Sequence, residues 1–322
     1  LAIALFVQVW VRASFRGWFD DLMSGRLPNA RFEDFTVVED RATGRLVSLM
    51  GLISLFWQYG DISFVCGQPE AFVSHPDYRQ HGLVRKQMAV VHQLSKARGE
   101  LAQVIWGIPW YYRQFGYEYA LEGLWDTHRK IHPHHISDED DPRTQLCRLR
   151  PVKPRDYGFI RQLHENNEKR GHIRAEKSSV EWLFHFEGWA ANAHARREWR
   201  IIEHANGALA GFLSYHNEPG SGGFGVHQME LTEESSYLQL MPGILQKLWN
   251  LAAKENQGEM PEDIKLYLGR EHPAYRPIMN TTRLQRGEMQ CLYIRVENMI
   301  NFLGHITPAL EKNLTASPVS NF

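Results

Sequence analysis

The sequence predicts an α/β fold of the α+β kind, built as two tandem domains, each with a mixed, mostly antiparallel sheet flanked by helices. Three observations lead there. Strand-like segments bounded by turn residues fill 35–74, and from Leu83 to Arg98 the apolar Val84, Met88, Val91 and Leu94 then recur three or four apart, as on one helix face. The second half repeats this order of elements with no visible sequence repeat. Between the halves, Asp126 to Thr144 is charged, rich in histidine and aperiodic, and so predicts a linker.

In chain order, Leu1 to Trp10 and Phe15 to Met23 predict helices, and Phe35 to Val38 a strand ending in the turn from Glu39 to Gly44. A longer strand, Leu46 to Phe56, follows. The turn Tyr59-Gly60-Asp61 leads into a strand region from Ile62 to Ser74, where Gly67 and Pro69 predict a bulge or a bend. A loop closing with Gly82 precedes the helix at 83–98. Ala102 to Trp106 is then a short buried strand, Trp110 to Phe115 a short helix, and Gly116-Tyr117 the start of another strand.

The second half opens with a strand at Leu146 to Leu149 and a helix carrying Phe159, Ile160 and Leu163. Trp199 to Glu203 and Ala208 to Tyr215 pair around Asn206-Gly207, a hairpin turn. Val226 to Leu231, the helix Leu238 to Lys254, and strands at Ile264 to Leu268 and Cys291 to Val296 complete the series. Trp182, Phe184, Phe186 and Trp189 fall on a helix of the second half, either as packing or as an aromatic wall beside a cleft. The expected domains are therefore 1–125, a linker at 126–145, 146–290, and the start of a truncated further domain at 291–322. The first domain lacks a counterpart of Leu146 to Leu149, and Asn298 to Leu314 predicts a helix with no packed partner, so segments are expected beyond both ends.

With 322 residues, 43% of them apolar, and 36 Lys+Arg against 37 Asp+Glu, the chain suits a soluble protein with room for two domains. A net charge of -1 offers no broad basic surface for nucleic acid. The longest apolar stretch, Leu46 to Trp57, falls short of the roughly 20 residues that cross a membrane. Cys66, Cys147 and Cys291 lie far apart and are odd in number, which points to neither a disulfide framework nor a zinc ribbon but to a reducing, cytoplasmic compartment. His128, His132, His134 and His135 match no metal-ligand spacing and are expected as solvated loop histidines, so no metal is expected.

The chemistry concentrates in Phe72-Val-Ser-His-Pro-Asp-Tyr-Arg-Gln-His-Gly-Leu-Val-Arg85, where a strand gives way to the best helix. Successive backbone N–H groups at a helix N-terminus converge on one place and suit a pyrophosphate. Gly82 lets the backbone come close, and Arg79 and Arg85 add charge. The stretch resembles the acyl-CoA loop of the GNAT acetyltransferases through Pro76, Tyr78, Arg79 and Gly82, and departs from it at Val84, where the family has Gly or Ala. The resemblance implies acetyl-CoA as co-substrate, held by Phe72, Val73, Ser74, Arg79, Gln80, His81, Gly82, Leu83, Val84 and Arg85.

A second segment, Ile108 to Glu118, is similar to the GNAT stretch in which a short helix carries a tyrosine, followed by Gly and an aromatic; these fall on Tyr112, Gly116 and Tyr117. Acetyl transfer from a thioester to an amine passes through an oxyanion and expels a thiolate, so it needs N–H donors and a proton source. The expected donor is the N–H of Val73, and the expected general acid is Tyr112, with Tyr111 as its packing neighbour. Glu70 is either the general base or a solvated strand carboxylate.

Arg150 to Asp156 looks like the opening of a second GNAT unit, yet Leu231 to Tyr237, where its phosphate loop belongs, has no glycine turn, so that half is expected to have lost the cofactor. Tandem halves with only the first competent resemble the Eis family of N-acetyltransferases. The resemblance implies a small-molecule or lysine amine as acceptor, a homo-oligomer and a sterol-carrier-like third domain. In that family the terminal carboxylate is the base, a role that does not carry over to Phe322. Two other classes stand beside this reading: an acyl-CoA-binding sensor without turnover, and an aminoacyl-tRNA-dependent transferase, against which the charged loop from Arg79 to Arg85 speaks.

Overall fold

Residues 46–56 are apolar at nearly every position, so successive side chains bury on opposite faces and one strand serves two cores. The structure, a computed structural model, describes residues 5, 9, 13–121, 123, 127–137, 140–168, 171–218, 223–286 and 292–317. The predicted helix at 1–10 lies outside these except for Leu5 and Val9, as does Cys291. Helix α1 (Ala13–Met23) buries Phe19 and Leu22 against Leu49, Ile53 and Val73 of one sheet face. Strands β1 (Phe35–Asp40), β2 (Arg45–Tyr59) and β3 (Ile62–Ser74) form the antiparallel meander. On the other face Met50 and Leu52 pack against Met88 and Val91 of helix α2 (Leu83–Ala97). Strand β4 (Ala102–Trp106) and β5 (Glu118–Leu121) follow, with a 3-10 helix at Tyr111–Phe115 between them.

The chain separates into two compact units, Leu1–Leu121 with Lys169–Arg196 and Leu292–Phe322, and Glu122–Glu168 with Arg197–Cys291. The expected boundaries shift accordingly. Strand β6 (Thr127–Ile131) lies inside the stretch expected as a linker; its polar sequence hides a strand whose Thr127, His128 and Ile131 are buried. His128 is thus a strand residue and not a loop histidine. Strands β7 (Cys147–Pro151), β9 (Glu198–His204), β10 (Leu209–Glu218), β11 (Gly223–Leu231), β12 (Ile264–Leu266) and β13 (Leu284–Arg286) join it in the order β13-β6-β12-β11-β10-β9-β7. Helix α3 (Tyr157–Glu168) precedes β9, and α5 (Tyr237–Glu255) covers the sheet with Leu240, Ile244, Leu248 and Ala252. The hairpin turn is as expected: Gly207 sits at φ +88° and the Asn206 side chain accepts from Ala208 N–H.

Two segments expected in the second and third domains belong to the first unit. Strand β8 (Ile173–Glu176) pairs with residues 56–59 of β2, and helix α4 (Ser179–Leu183) follows it. Strand β14 (Leu292–Arg295) is inserted between β4 and β5, antiparallel to both, rather than opening a separate body. Helix α6 (Met299–Thr315) likewise packs on its own unit: Phe302 meets Phe64 at 5.5 Å, Ile306 and Ala309 are buried, and His305 bonds Ser63 O. The two sheets run in one order, with β14 in the first and β6 in the second at matching positions; β7 has no counterpart beyond β1 among the described residues.

Tyr293 of β14 is fully buried, stacks on Tyr119 at 4.2 Å and donates to Ile108 O at 2.9 Å. Truncating it empties the centre of the first core. Tyr293→Ala should lower the unfolding free energy by about 3–5 kcal/mol, read from urea denaturation.

Candidate active site

Strands β3 and β4 run parallel but pair only at Cys66–Ala102 and Gly67–Gln103. Beyond those pairs they part, and a cleft of about 420 Å³ opens between residues 72–74 on one side and Ile108, Tyr111, Tyr112, Gln114 and Phe115 on the other. The irregularity that helps to turn β3 aside lies not at Gly67 or Pro69 but just beyond them, at Ala71 and Phe72. Leu49 and Gly51 of β2 face Val73 and Glu70, so Met50 alone spans Ala71 and Phe72. Ala71 takes φ +57°, a strained value for a residue with a Cβ.

Pairing on the β2 side determines which backbone groups meet the cleft. His75 N–H donates to Val47 O at 2.8 Å, so Val47–His75 and, two residues on, Leu49–Val73 are the hydrogen-bonded pairs. The N–H of Val73, expected as the cleft donor, is therefore turned toward β2. Phe72 and Ser74 turn theirs toward the opening. The end of β3 is tied down by Ser48, whose hydroxyl lies 2.8 Å from Val73 O and 2.6 Å from Gln87 Oε1 of α2. Gln87 in turn donates to Thr36 O at 3.1 Å.

The loop after β3 is held from below. The ring of His75 accepts from Asp77 N–H, Pro76–Tyr78 forms a single 3-10 turn, and the Tyr78 hydroxyl donates to Asp40 at 2.6 Å. That bond, with those from Ala42 and Thr43, holds the Asp40 carboxyl below its ordinary range. Gln80 (φ +65°) and Gly82 (φ +71°) then reverse the chain into α2. Lys86 N–H is the first to bond inside the helix, to Gly82 O, so the N–H groups of Leu83, Val84 and Arg85 emerge at its positive end. Of the ten residues expected around the cofactor, all but His81 line the cleft. His81 instead bonds Arg79 O at 2.8 Å. Arg79 is exposed at the lip, whereas Arg85 reaches to Gln114 Oε1 at 2.8 Å and lies over the Phe115 ring. Gln114 and Phe115 gave no sign of this role in the sequence beyond their place beside Tyr112.

Tyr112 is buried at the inner end, its ring edge-on to Phe72 at 5.6 Å, Tyr111 at 5.1 Å and Tyr293 at 5.5 Å. Burial first, then the Glu70 carboxylate, push its hydroxyl well above the ordinary tyrosine range, so it carries its proton at neutral pH. Gly107 makes room for it: a Cβ there would stand 2.7 Å from Tyr112 Cε2. Glu70 is a half-buried carboxylate. It accepts from Gln68 Nε2 and from Ala71 N–H at 3.3 Å, and burial raises its pKa above the carboxylate norm.

The second unit parts its strands in the same way and fills the gap. Strand β11 pairs with β12 at 224–226 only, and beyond that Tyr237 donates to Met229 O at 3.0 Å and accepts from Leu231 N–H at 3.2 Å. Thr232 N–H donates to Ala210 O, which makes Met229 and Leu231 the positions facing away from β10, as Phe72 and Ser74 face away from β2. Across the gap, the Tyr275 hydroxyl donates to Leu266 O and accepts from Leu268 N–H. Tyrosine hydroxyls thus take the strand-edge groups that line a cleft in the first unit.

A family model of the acetyltransferase (GNAT) domain matches residues 7–120. Among solved structures, a probable N-acyltransferase of Enterococcus faecalis V583 is similar with a TM-score of 0.57 at 14% identity, over 81% of this chain and 62% of that one. A GCN5-related N-acetyltransferase from Kribbella flavida gives 0.57 at 14%, over 92% and 67%. The N-myristoyltransferase of Saccharomyces cerevisiae gives 0.57 at 10%, over 91% and 76%. The chain therefore spans less than two thirds of the Enterococcus protein. No curated protein matches.

The contact between Gly107 and Tyr112 predicts a specific coupling. Gly107→Ala should cost about 1–3 kcal/mol in urea unfolding; Tyr112→Ala should relieve the part due to the ring contact while the backbone strain at φ +154° remains, so the double-mutant cycle should be partly non-additive.

Proposed function

We propose that this chain, whose residues 7–120 match a family model of the acetyltransferase (GNAT) domain, moves an acetyl group from acetyl-CoA directly to a primary amine. The observation that carries this reading is the parted pair β3–β4, with a helix N-terminus at its outer end and a protonated, buried tyrosine at its inner end. The N–H groups of Leu83, Val84 and Arg85 take the pyrophosphate. The pantetheine arm lies along Phe72 to Ser74, adding backbone hydrogen bonds of the kind Tyr237 makes in the second unit. Phe72 and Tyr112 close the inner end at 5.6 Å between rings, which favours a short acyl group.

In the transfer step the amine attacks the thioester carbonyl, and the oxyanion is met by the Phe72 N–H. Glu70 takes the ammonium proton, directly or through water, and Tyr112 protonates the departing thiolate. The Glu70 carboxylate also raises Tyr112, which supports a tyrosine that keeps its proton until the thiolate departs. The reading includes a cytoplasmic setting, on the cysteine spacing, and an Eis-like homo-oligomer with a small-molecule or lysine acceptor, on the sequence resemblance alone.

Release of free thiol from acetyl-CoA in the presence of amines tests the function. Tyr112→Phe should lower kcat about 100-fold or more while calorimetric affinity for acetyl-CoA stays within a factor of two; retained turnover would remove Tyr112 from the chemistry. Glu70 works only when ionised, and burial raises its pKa, so activity should climb with pH through a midpoint above the usual carboxylate value of about 4.3. Glu70→Gln should lose that acid limb together with about 100-fold in kcat.

A further inference from the structure

On the face of the first sheet that carries α1, a second cleft of about 240 Å³ lies against β3, lined among others by Trp18, Ile53, Gln68, Glu70, Phe184 and Trp189. We infer that it seats the acceptor and selects a single primary amine on a short tether to an aromatic or bulky apolar group. This rests on the acetyl-transfer reading above.

Position comes first. Glu70 lines this cleft and Phe72 lines the cofactor cleft, two residues or about 7 Å apart along β3 on either side of the Ala71 bulge. An ammonium at Glu70 is thus beside the thioester end. Two carboxylates line the cleft, and each has acceptor sites left. Glu181 takes Ser178 N–H and Ser178 Oγ on one oxygen, each at 2.7 Å, capping α4. Glu70 uses two of its roughly four acceptor sites, on Gln68 and Ala71. The cleft can therefore pair two cations at most, and the one at Glu70 is the one beside the thioester end.

Beyond Glu181, Asn29, Gln68 and His185, the wall around that seat is apolar or aromatic. Residues 184–188 form a π-helical turn in which a Cβ on Gly188 would stand 2.2 Å from the Phe184 ring. Such turns re-aim side chains, and this one brings the Phe184 and Trp189 rings together edge-on at 4.9 Å on the cleft. Trp189 Nε1 donates to His185 Nδ1 at 3.4 Å, which leaves its ring to face a ligand. A polyamine or aminosugar carries more ammonium groups than Glu70 and Glu181 can pair, and would press the rest against Trp18, Ile53, Phe184 and Trp189, an unpaired burial that costs affinity. The volume is also below the roughly 300 Å³ where clefts for larger ligands begin.

Thiol release from acetyl-CoA is compared for 2-phenylethylamine, spermidine and kanamycin. The expected result is kcat/KM at least about tenfold higher for 2-phenylethylamine, and in Trp189→Ala a KM for it raised about tenfold with kcat within twofold and acetyl-CoA affinity unchanged. Equal or better use of spermidine or kanamycin overturns the inference, as does an unchanged KM in well-folded Trp189→Ala. If acetyl-CoA binds but no amine releases thiol, the transfer reading fails by itself. Quenching of tryptophan fluorescence by 2-phenylethylamine then decides this cleft: saturable binding weakened by Trp189→Ala upholds it, and its absence overturns it.

Discussion

A peptide group taken out of a β-ladder must find another partner, and the structure turns on where it lets two parallel strands part. In both units the third and fourth strands of the shared order begin as a ladder and separate after two or three pairs. The separation exposes a row of N–H and C=O groups on each inner edge, a cost of about 1–3 kcal/mol for every group left unmet. The second unit meets that demand from within, with the hydroxyls of Tyr237 and Tyr275. The first places no such tyrosine there and lines the gap with a helix N-terminus, Phe72, Ser74 and Tyr112. A difference of one hydroxyl per edge therefore separates a filled sheet from a cleft that a thioester's amide-rich arm can satisfy.

The electrostatics follow from the same geometry. Near the parting, Glu70 is half-buried on one cleft and Tyr112 is buried at the inner end of the other. Each group is then raised by burial, and the tyrosine is raised further by the carboxylate. One fold thus holds a carboxylate raised toward neutrality and a tyrosine that keeps its proton, groups of the kind that proton transfer in both directions uses.

The cofactor end was legible because its parts are local: a helix with a 3.6-residue stripe, a glycine needed at positive φ, and a tyrosine six residues before the next strand's first residue. Non-local features were hidden. Thr127–Ile131 carries histidine and charge, and only its insertion between β12 and β13 makes it a buried strand. Leu292–Arg295 has a strand pattern, but nothing in it names the sheet it joins. The aromatic group at 182–189 was visible as either packing or a wall; its place in the first unit depends on β8 pairing with β2, across more than a hundred residues. Val73 was named as the cleft donor because the motif marks the segment, whereas the ladder to β2 decides which of its alternate N–H groups looks outward.

Because β14 completes the first sheet and β6 the second, neither sheet can close from its own continuous stretch of chain. During synthesis, β5 emerges long before the strand that must lie between it and β4. At about 5–20 residues per second, the first sheet waits roughly ten to thirty seconds with two unjoined edges, one of them backing the future seat of Tyr112. The nascent protein thus passes through a long interval in which its first unit is exposed to wrong pairing, until β14 closes it.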